Sequence, residues 1–244
     1  MPGNAFAQRV RRRFDPDDLA LETPGVLHAD VAFGIVRGEA AGRWLAPDFD
    51  LDLGLSPNVE IGIDGAVAIE GSDDRPLSLD HLTQDNLWLS SKIGLWDARD
   101  ADAPRAWAAG FQLGPRIAAS PEARGTGFQV LGLVARTIGR SQTVLNLGGL
   151  VEPGSSVSSG RPTAALVGID FKLDLDQDGV FSMVLDASLV AFLSSDKSQL
   201  TSTGGFVFRA SPWLDLSATA LVGALAGGDR YGAYIGMSPK LPLL

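Results

Sequence analysis

The chain has two histidines, His28 and His81, and no cysteine among its 244 residues. A Ser-His-acid catalyst would have to use one of the two imidazoles. His28 shares a strand face with Asp30, but no Gly-x-Ser-x-Gly elbow presents a nucleophile. His81 lies in a polar stretch and reads as solvated. Asp174-x-Asp176-x-Asp178-Gly179 imitates the start of a calcium loop. Position 12 counted from Asp174 is Leu185, where an EF-hand needs a bidentate Glu, so an acidic hairpin turn is the expectation. Without cysteine there is neither a disulfide framework nor a zinc-thiolate site. No glycine-rich loop followed by a Lys opens after a strand, so nucleotide chemistry has no support. The reading is not an enzyme, with no cofactor and no metal. A hydrolase built on His28 stands as an alternative.

The informative polar residues form a set. Asp30, Asp50, Asp52, Glu60, Asp64, Lys92, Arg116, Arg136, Asp170, Lys172, Asp174, Asp186, Arg209 and Asp215 are read at alternate positions opposite an apolar face. Charges of both signs on one face fit the lining of a water-filled lumen, where they set selectivity, or a salt-bridged filling that closes it. Acids outnumber bases in the set, which favours cations or neutral solutes. On a soluble protein the same residues would be a solvated outer face.

The elements that carry this set are strands. Over 49–70, Phe49, Leu51, Leu53, Leu55, Val59, Ile61, Ile63, Val67 and Ile69 alternate with acidic or tiny residues, and Ser56-Pro57-Asn58 is turn chemistry. Each arm is about ten residues, the ~9–11 that a membrane-spanning strand needs. The same period recurs over 27–35, 87–95, 107–115, 127–136, 142–151, 165–173, 181–191, 204–210, 214–222 and 231–238. Pro115 inside a strand is an objection, met only near a strand end or at a bulge. About twelve strands follow in sequence order, with short turns alternating with longer polar loops. This predicts an all-β fold: a single closed antiparallel up-and-down transmembrane barrel over 26–244, with both termini on the short-turn side. Residues 1–25 read as an extended lead-in. They carry Ala5-Phe6-Ala7, which resembles a signal cleavage site, and then Arg9 and Arg11 to Arg13. The stretch reads as a signal remnant or as a small plug in the barrel mouth.

A net charge of -9 argues against a nucleic-acid partner. The expected partners are the lipid bilayer and a small-molecule solute, the expected state a monomer, and the expected location a bacterial outer membrane. With twelve strands the lumen should be narrow and partly filled, because ~8-stranded barrels are filled by side chains and porins of ~16 strands are open. Two features oppose a membrane barrel. Aromatics are only 7%, and the sequence closes on Leu244 rather than on an aromatic. A soluble β-rich binding or structural protein is therefore a further alternative.

The phrases Leu21-Glu22-Thr23-Pro24-Gly25-Val26-Leu27 and Pro47-Asp48-Phe49-Asp50-Leu51-Asp52-Leu53-Gly54-Leu55-Ser56-Pro57-Asn58-Val59-Glu60 resemble the transporter-type outer-membrane proteins grouped with the phenol-degradation MetA-pathway family. The resemblance covers the first third of the chain by motif and the rest by rhythm. It implies a bacterial outer-membrane barrel that admits small hydrophobic or aromatic compounds. It carries over no site residues.

Overall fold

The structure, a computed structural model, describes residues 19–38, 41–72, 82–96, 106–119, 123–155, 161–193, 197–225 and 227–243. His81, Leu244, the Ala5-Phe6-Ala7 tripeptide and the arginine cluster fall outside the described residues.

Twelve long strands run in chain order. They are β1 (Val26–Arg37), β2 (Ala41–Ser56), β3 (Val59–Ser72), β5 (Leu87–Trp96), β6 (Trp107–Ile117), β8 (Thr126–Ile138), β9 (Ser141–Val151), β11 (Thr163–Asp174), β12 (Phe181–Phe192), β13 (Gln199–Ser211), β14 (Leu214–Gly223) and β15 (Tyr231–Pro242). Three short pieces, β4 (Leu82–Gln84), β7 (Ala123–Arg124) and β10 (Gly154–Ser155), sit in the connections. Each long strand pairs antiparallel with its sequence neighbours, and β15 pairs with β1 from Val26↔Pro242 to Arg37↔Tyr231. That last pairing closes the sheet into a twelve-stranded barrel and leaves no free edge.

Burial runs opposite to that of a soluble sheet. On β3, Ile61 and Ile63 are each 41% exposed, while Glu60 between the same strands is 1% exposed. On β9, Leu147 is 67% exposed and its neighbour Asn146 only 1%. The apolar period thus points outward and the polar period inward. An apolar outer band on a closed barrel is the surface that hydrocarbon, not water, accommodates. Exposed aromatics occur at both margins, with Phe33 and Phe206 nearer mid-strand. Trp96, Trp107, Phe181 and Trp213 lie near the end where β1 begins, and Trp44, Phe128 and Tyr231 near the other.

The interior is not uniform. Leu131, Leu133 and Ala135 of β8, Val144 and Leu150 of β9, and Ala164 and Leu166 of β11 form a buried apolar arc. Over 130–135 of β8 and the loop-end halves of β9 and β11 both faces are apolar, so alternation there does not reveal which face is inside.

Tight turns at 57–58, 139–140 and 212–213 lie at the end where β1 begins, and longer connections such as 152–162 lie at the opposite end. Three links depart from that rule. Residues 97–106 and 175–180 join β5 to β6 and β11 to β12 at the turn end, and 38–40 join β1 to β2 at the loop end.

Three strand details differ from expectation. β2 begins at Ala41, well before Phe49, and its register with β3 shifts between Leu45 and Asp48. The bulge changes the phase of the strand and hides its first half from a period-2 reading. β13 begins at Gln199 rather than near 204, its inward positions there being the polar Gln199, Thr201 and Thr203. Pro115 lies within β6, where the β5–β6 ladder lapses between Trp88↔Arg116 and Ser91↔Leu113, so its missing N–H costs no pair on that side.

A charge placed on the outer band gives a direct check. Leu147→Lys, near the middle of β9, should destabilise the barrel in lipid vesicles by about 2–4 kcal/mol. Urea unfolding of vesicle-folded protein measures it. On an exposed position of a soluble sheet the same change would leave the midpoint unmoved.

Candidate functional site: the barrel lumen

Strand register decides which charges meet. Asp30, Asp50 and Asp64 stand side by side on β1, β2 and β3, since Asp30 pairs with Asp50 and Asp50 with Asp64. Asp52 occupies the next inward position on β2, opposite His28. Asp48, which the sequence reading did not single out, flanks the row on the other side, opposite Ala32 and Ala66. A second acidic pair, Asp170↔Asp186, joins β11 to β12. The apolar arc of β8, β9 and β11 lies between these groups around the barrel.

The bases of the set occupy more confined places. Lys92 Nζ lies 3.2 Å from Glu60 Oε1, both side chains almost fully buried. Arg116 Nε lies 3.0 Å from the Glu152 carboxylate, and its Nη1 donates to Gln129 Oε1 at 2.7 Å. Asn86 Nδ2 donates to the same Glu152 at 3.0 Å, so a polar knot spans β6, β8 and the ends of β5 and β9. Near the turn end, Arg209 faces Asp215 at 3.6 Å and Lys172 lies 3.7 Å from Asp174, in half-exposed positions.

Arg136 is not among the inward residues. It shares the outward phase of β8 with Phe128, Val130 and Val134, and its guanidinium stacks 4.7 Å from the Trp107 ring centroid. The expectation that it lines the lumen is corrected on this point. Because Leu131 and Leu133 are as apolar as Val130 and Val134, the sequence of β8 offered no phase to read.

Several inward contacts had no signal in the sequence. Arg43 bridges to Asp229, tying β2 to the connection before β15. Gln112 Nε2 donates to Ser90 Oγ at 3.0 Å. Most consequential is Leu19, which precedes β1 yet is fully buried with Trp88, Ala108 and Leu131. The chain reaches it by turning into the barrel. The Glu22 N–H donates to Glu60 Oε2 at 2.7 Å, and the Thr23 and Glu22 carbonyls press on Gly54, where any Cβ would collide with backbone. Gly110 likewise leaves room for Leu19, whose Cδ1 lies 2.6 Å from where a Cβ would stand.

The histidine chemistry is not assembled among the described residues. His28 Nδ1 lies 2.9 Å from Glu22 Oε1, and its Nε2 lies 3.7 Å from Asp30 without a hydrogen bond. The nearby Ser238 hydroxyl donates to Asp30, not to the imidazole. The calcium-like stretch serves a turn. Asp176 accepts the N–H groups of Val180 and Phe181 at 2.8 and 3.1 Å, and Gly179 takes a φ of 62°. Among the described residues no group of three acids or histidines is placed to hold a metal ion.

Breaking the buried Glu60–Lys92 pair from one side should be costly. Lys92→Met leaves Glu60 without its cation, and a loss of about 3–5 kcal/mol is expected. Denaturant unfolding of the single variant and of Lys92→Met with Glu60→Gln measures it. The double variant should recover most of the loss.

No family model and no curated protein matches the sequence. Solved structures do match in shape. An outer-membrane channel from Pseudomonas putida F1 superposes over 94% of this chain and 100% of its own, with a TM-score of 0.67 at 9% identity. The NanC porin covers 87% of this chain and 100% of its own, with a TM-score of 0.63 and also 9% identity. At that identity the likeness establishes the barrel fold alone.

Proposed function

We propose that the chain is a bacterial outer-membrane channel that passes small solutes passively. The observation that carries the reading is the inverted burial of a closed barrel, apolar outside and charged inside. Such a surface is at rest only in a bilayer, and its interior is a polar path across one. The start of β1, the end of β15 and most tight turns then face the periplasm, and the longer connections lie at the opposite end.

The lining suggests the solute class. The acidic row of β1–β3 and the Asp170–Asp186 pair disfavour anions. The arc of Leu131, Leu133, Leu150 and Leu166 is buried in one cluster with the chain's own Leu19 and Trp88, so the open lining is the polar part. Neutral or cationic small molecules fit that lining, and a hydrophobic or aromatic part is what the family resemblance implies. The superposition on a channel and a porin supports the channel reading.

Planar-bilayer recording tests the proposal. The purified barrel should give a conductance smaller than that of an open sixteen-stranded porin, with a reversal potential in a KCl gradient that favours K⁺. Asp50→Asn with Asp64→Asn should move that potential toward zero. Inserted protein that carries no current at any voltage would overturn the reading.

A further inference from the structure

We propose that the outer wall of β6, β8, β9 and β11 carries a binding site for the phosphate head group of an anionic phospholipid, in the leaflet at the turn end of the barrel. Arg136 is the residue that grips it. The site rests on the membrane placement argued above and not on the passage of solutes.

Strand register builds the site. Trp107 of β6 stands opposite Arg136 of β8, Arg136 opposite Thr143 of β9, and Thr143 opposite Phe171 of β11. All four lie on the outward phase of their strands. Across the lipid-facing wall the row therefore reads aromatic, guanidinium, hydroxyl, aromatic. It lies close to the turn end. Trp107 opens β6, and one outward residue, Ile138, separates Arg136 from the turn at 139–140. That is the level at which aromatic side chains meet lipid head groups.

Charge identifies the occupant. Among the described residues of the twelve long strands, the outward phase carries two charged side chains, Arg136 and Arg37, and Arg37 is the last residue of β1 at the opposite end. A cation turned to lipid is costly at mid-bilayer and tolerated near the interface, where it can reach an anion. The Trp107 ring holds the flat face of the guanidinium, 4.7 Å from its centroid. Stacking of that kind leaves the edge, with its five N–H donors, unused. No described residue accepts a hydrogen bond from that edge. A phosphate does so with two oxygens at once, and the Thr143 hydroxyl stands beside it as a further donor. The net charge of the chain is -9, so attraction of an anionic lipid has to be local to this row.

The acyl chains have a place as well. Gly132, two outward positions from Arg136 along β8, lies between Phe111 and Leu147 in register. A Cβ there would meet only the Leu147 carbonyl oxygen, at 3.6 Å, so the packing of the wall does not require glycine. The missing side chain leaves a notch beside Leu147, which stands 67% exposed. A chain that runs from a phosphate at Arg136 passes Val134 and enters that notch.

Bromine on an acyl chain quenches tryptophan fluorescence on contact, so a tryptophan in the row reports which lipid lies against it. Trp44→Phe, Trp96→Phe and Trp213→Phe together leave Trp107 as the outward tryptophan, with Trp88 buried in the lumen. This protein is folded into phosphatidylcholine vesicles that contain brominated phosphatidylglycerol, or brominated phosphatidylcholine as the reference. Brominated phosphatidylglycerol should quench Trp107 as if its local mole fraction were several-fold that of the bilayer. The excess should vanish in Arg136→Gln and persist in part in Arg136→Lys, which keeps the charge without the fork. A second reporter, Trp213 with Trp44→Phe, Trp96→Phe and Trp107→Phe, lies at the same end, where the neighbouring Arg209 already faces Asp215. It should show no excess. Equal quenching of Trp107 by the two lipids, an excess that survives Arg136→Gln, or an equal excess at Trp213 overturns the site and leaves the barrel in its bilayer. A Trp107 that neither lipid quenches is not in a bilayer, and that result overturns the membrane placement together with the site.

Discussion

Closure is the interaction on which everything else depends. β1 pairs with β15 along its whole length, so the last strand satisfies the edge of the first. In hydrocarbon an unpaired backbone N–H or C=O costs several kcal/mol, and an open sheet would carry a row of them. Once the ring is shut, each strand has a fixed inside and a fixed outside, and period-2 alternation becomes a radial sorting of side chains. Ile63 and Leu147 face outward because Asp64 and Asn146 face inward.

That sorting concentrates charge in a narrow space, and the interior is organised by the need to compensate it. Glu60 and Lys92 neutralise one another almost without solvent, and Arg116 gathers Glu152 and Gln129 toward the loop end. The acidic row of β1–β3 and the apolar arc of β8–β11 divide the remainder. The segment before β1 enters this divided space rather than leaving it, and Gly54 and Gly110 are the small residues that let it pass. A barrel of this size has a lumen that a few side chains can obstruct, so the entry of Leu19 matters as much as the strands themselves.

Much of this was legible in the residue order. The 49–70 hairpin announces long alternating strands, and ten further runs of the same period lead to a closed barrel. Inward placement could be read where one phase is charged, as at Asp50, Asp52 and Asp64. It could not be read on β8, where both phases are apolar and Arg136 turns outward onto Trp107. The first half of β2 was hidden by a bulge that shifts phase at Pro47. Leu19 was illegible for a different reason. A single leucine in a polar lead-in has no period, and only the folded ring gives it an interior to fill. The family resemblance carried by the Pro47 phrase agrees with the barrel, while the matching structures speak to shape alone.

The sorting is radial: along the strands one phase meets lipid and the other the lumen. A spin-label scan along β9, one cysteine at a time from 141 to 151 in vesicle-inserted protein, measures it most directly. Accessibility to dissolved oxygen should peak at Thr143, Leu145 and Leu147. Accessibility to a water-soluble nickel complex at those same positions should stay low, with alternation at a period of two. Outward positions that are open to the nickel complex and no more open to oxygen than Asn146 would contradict the account.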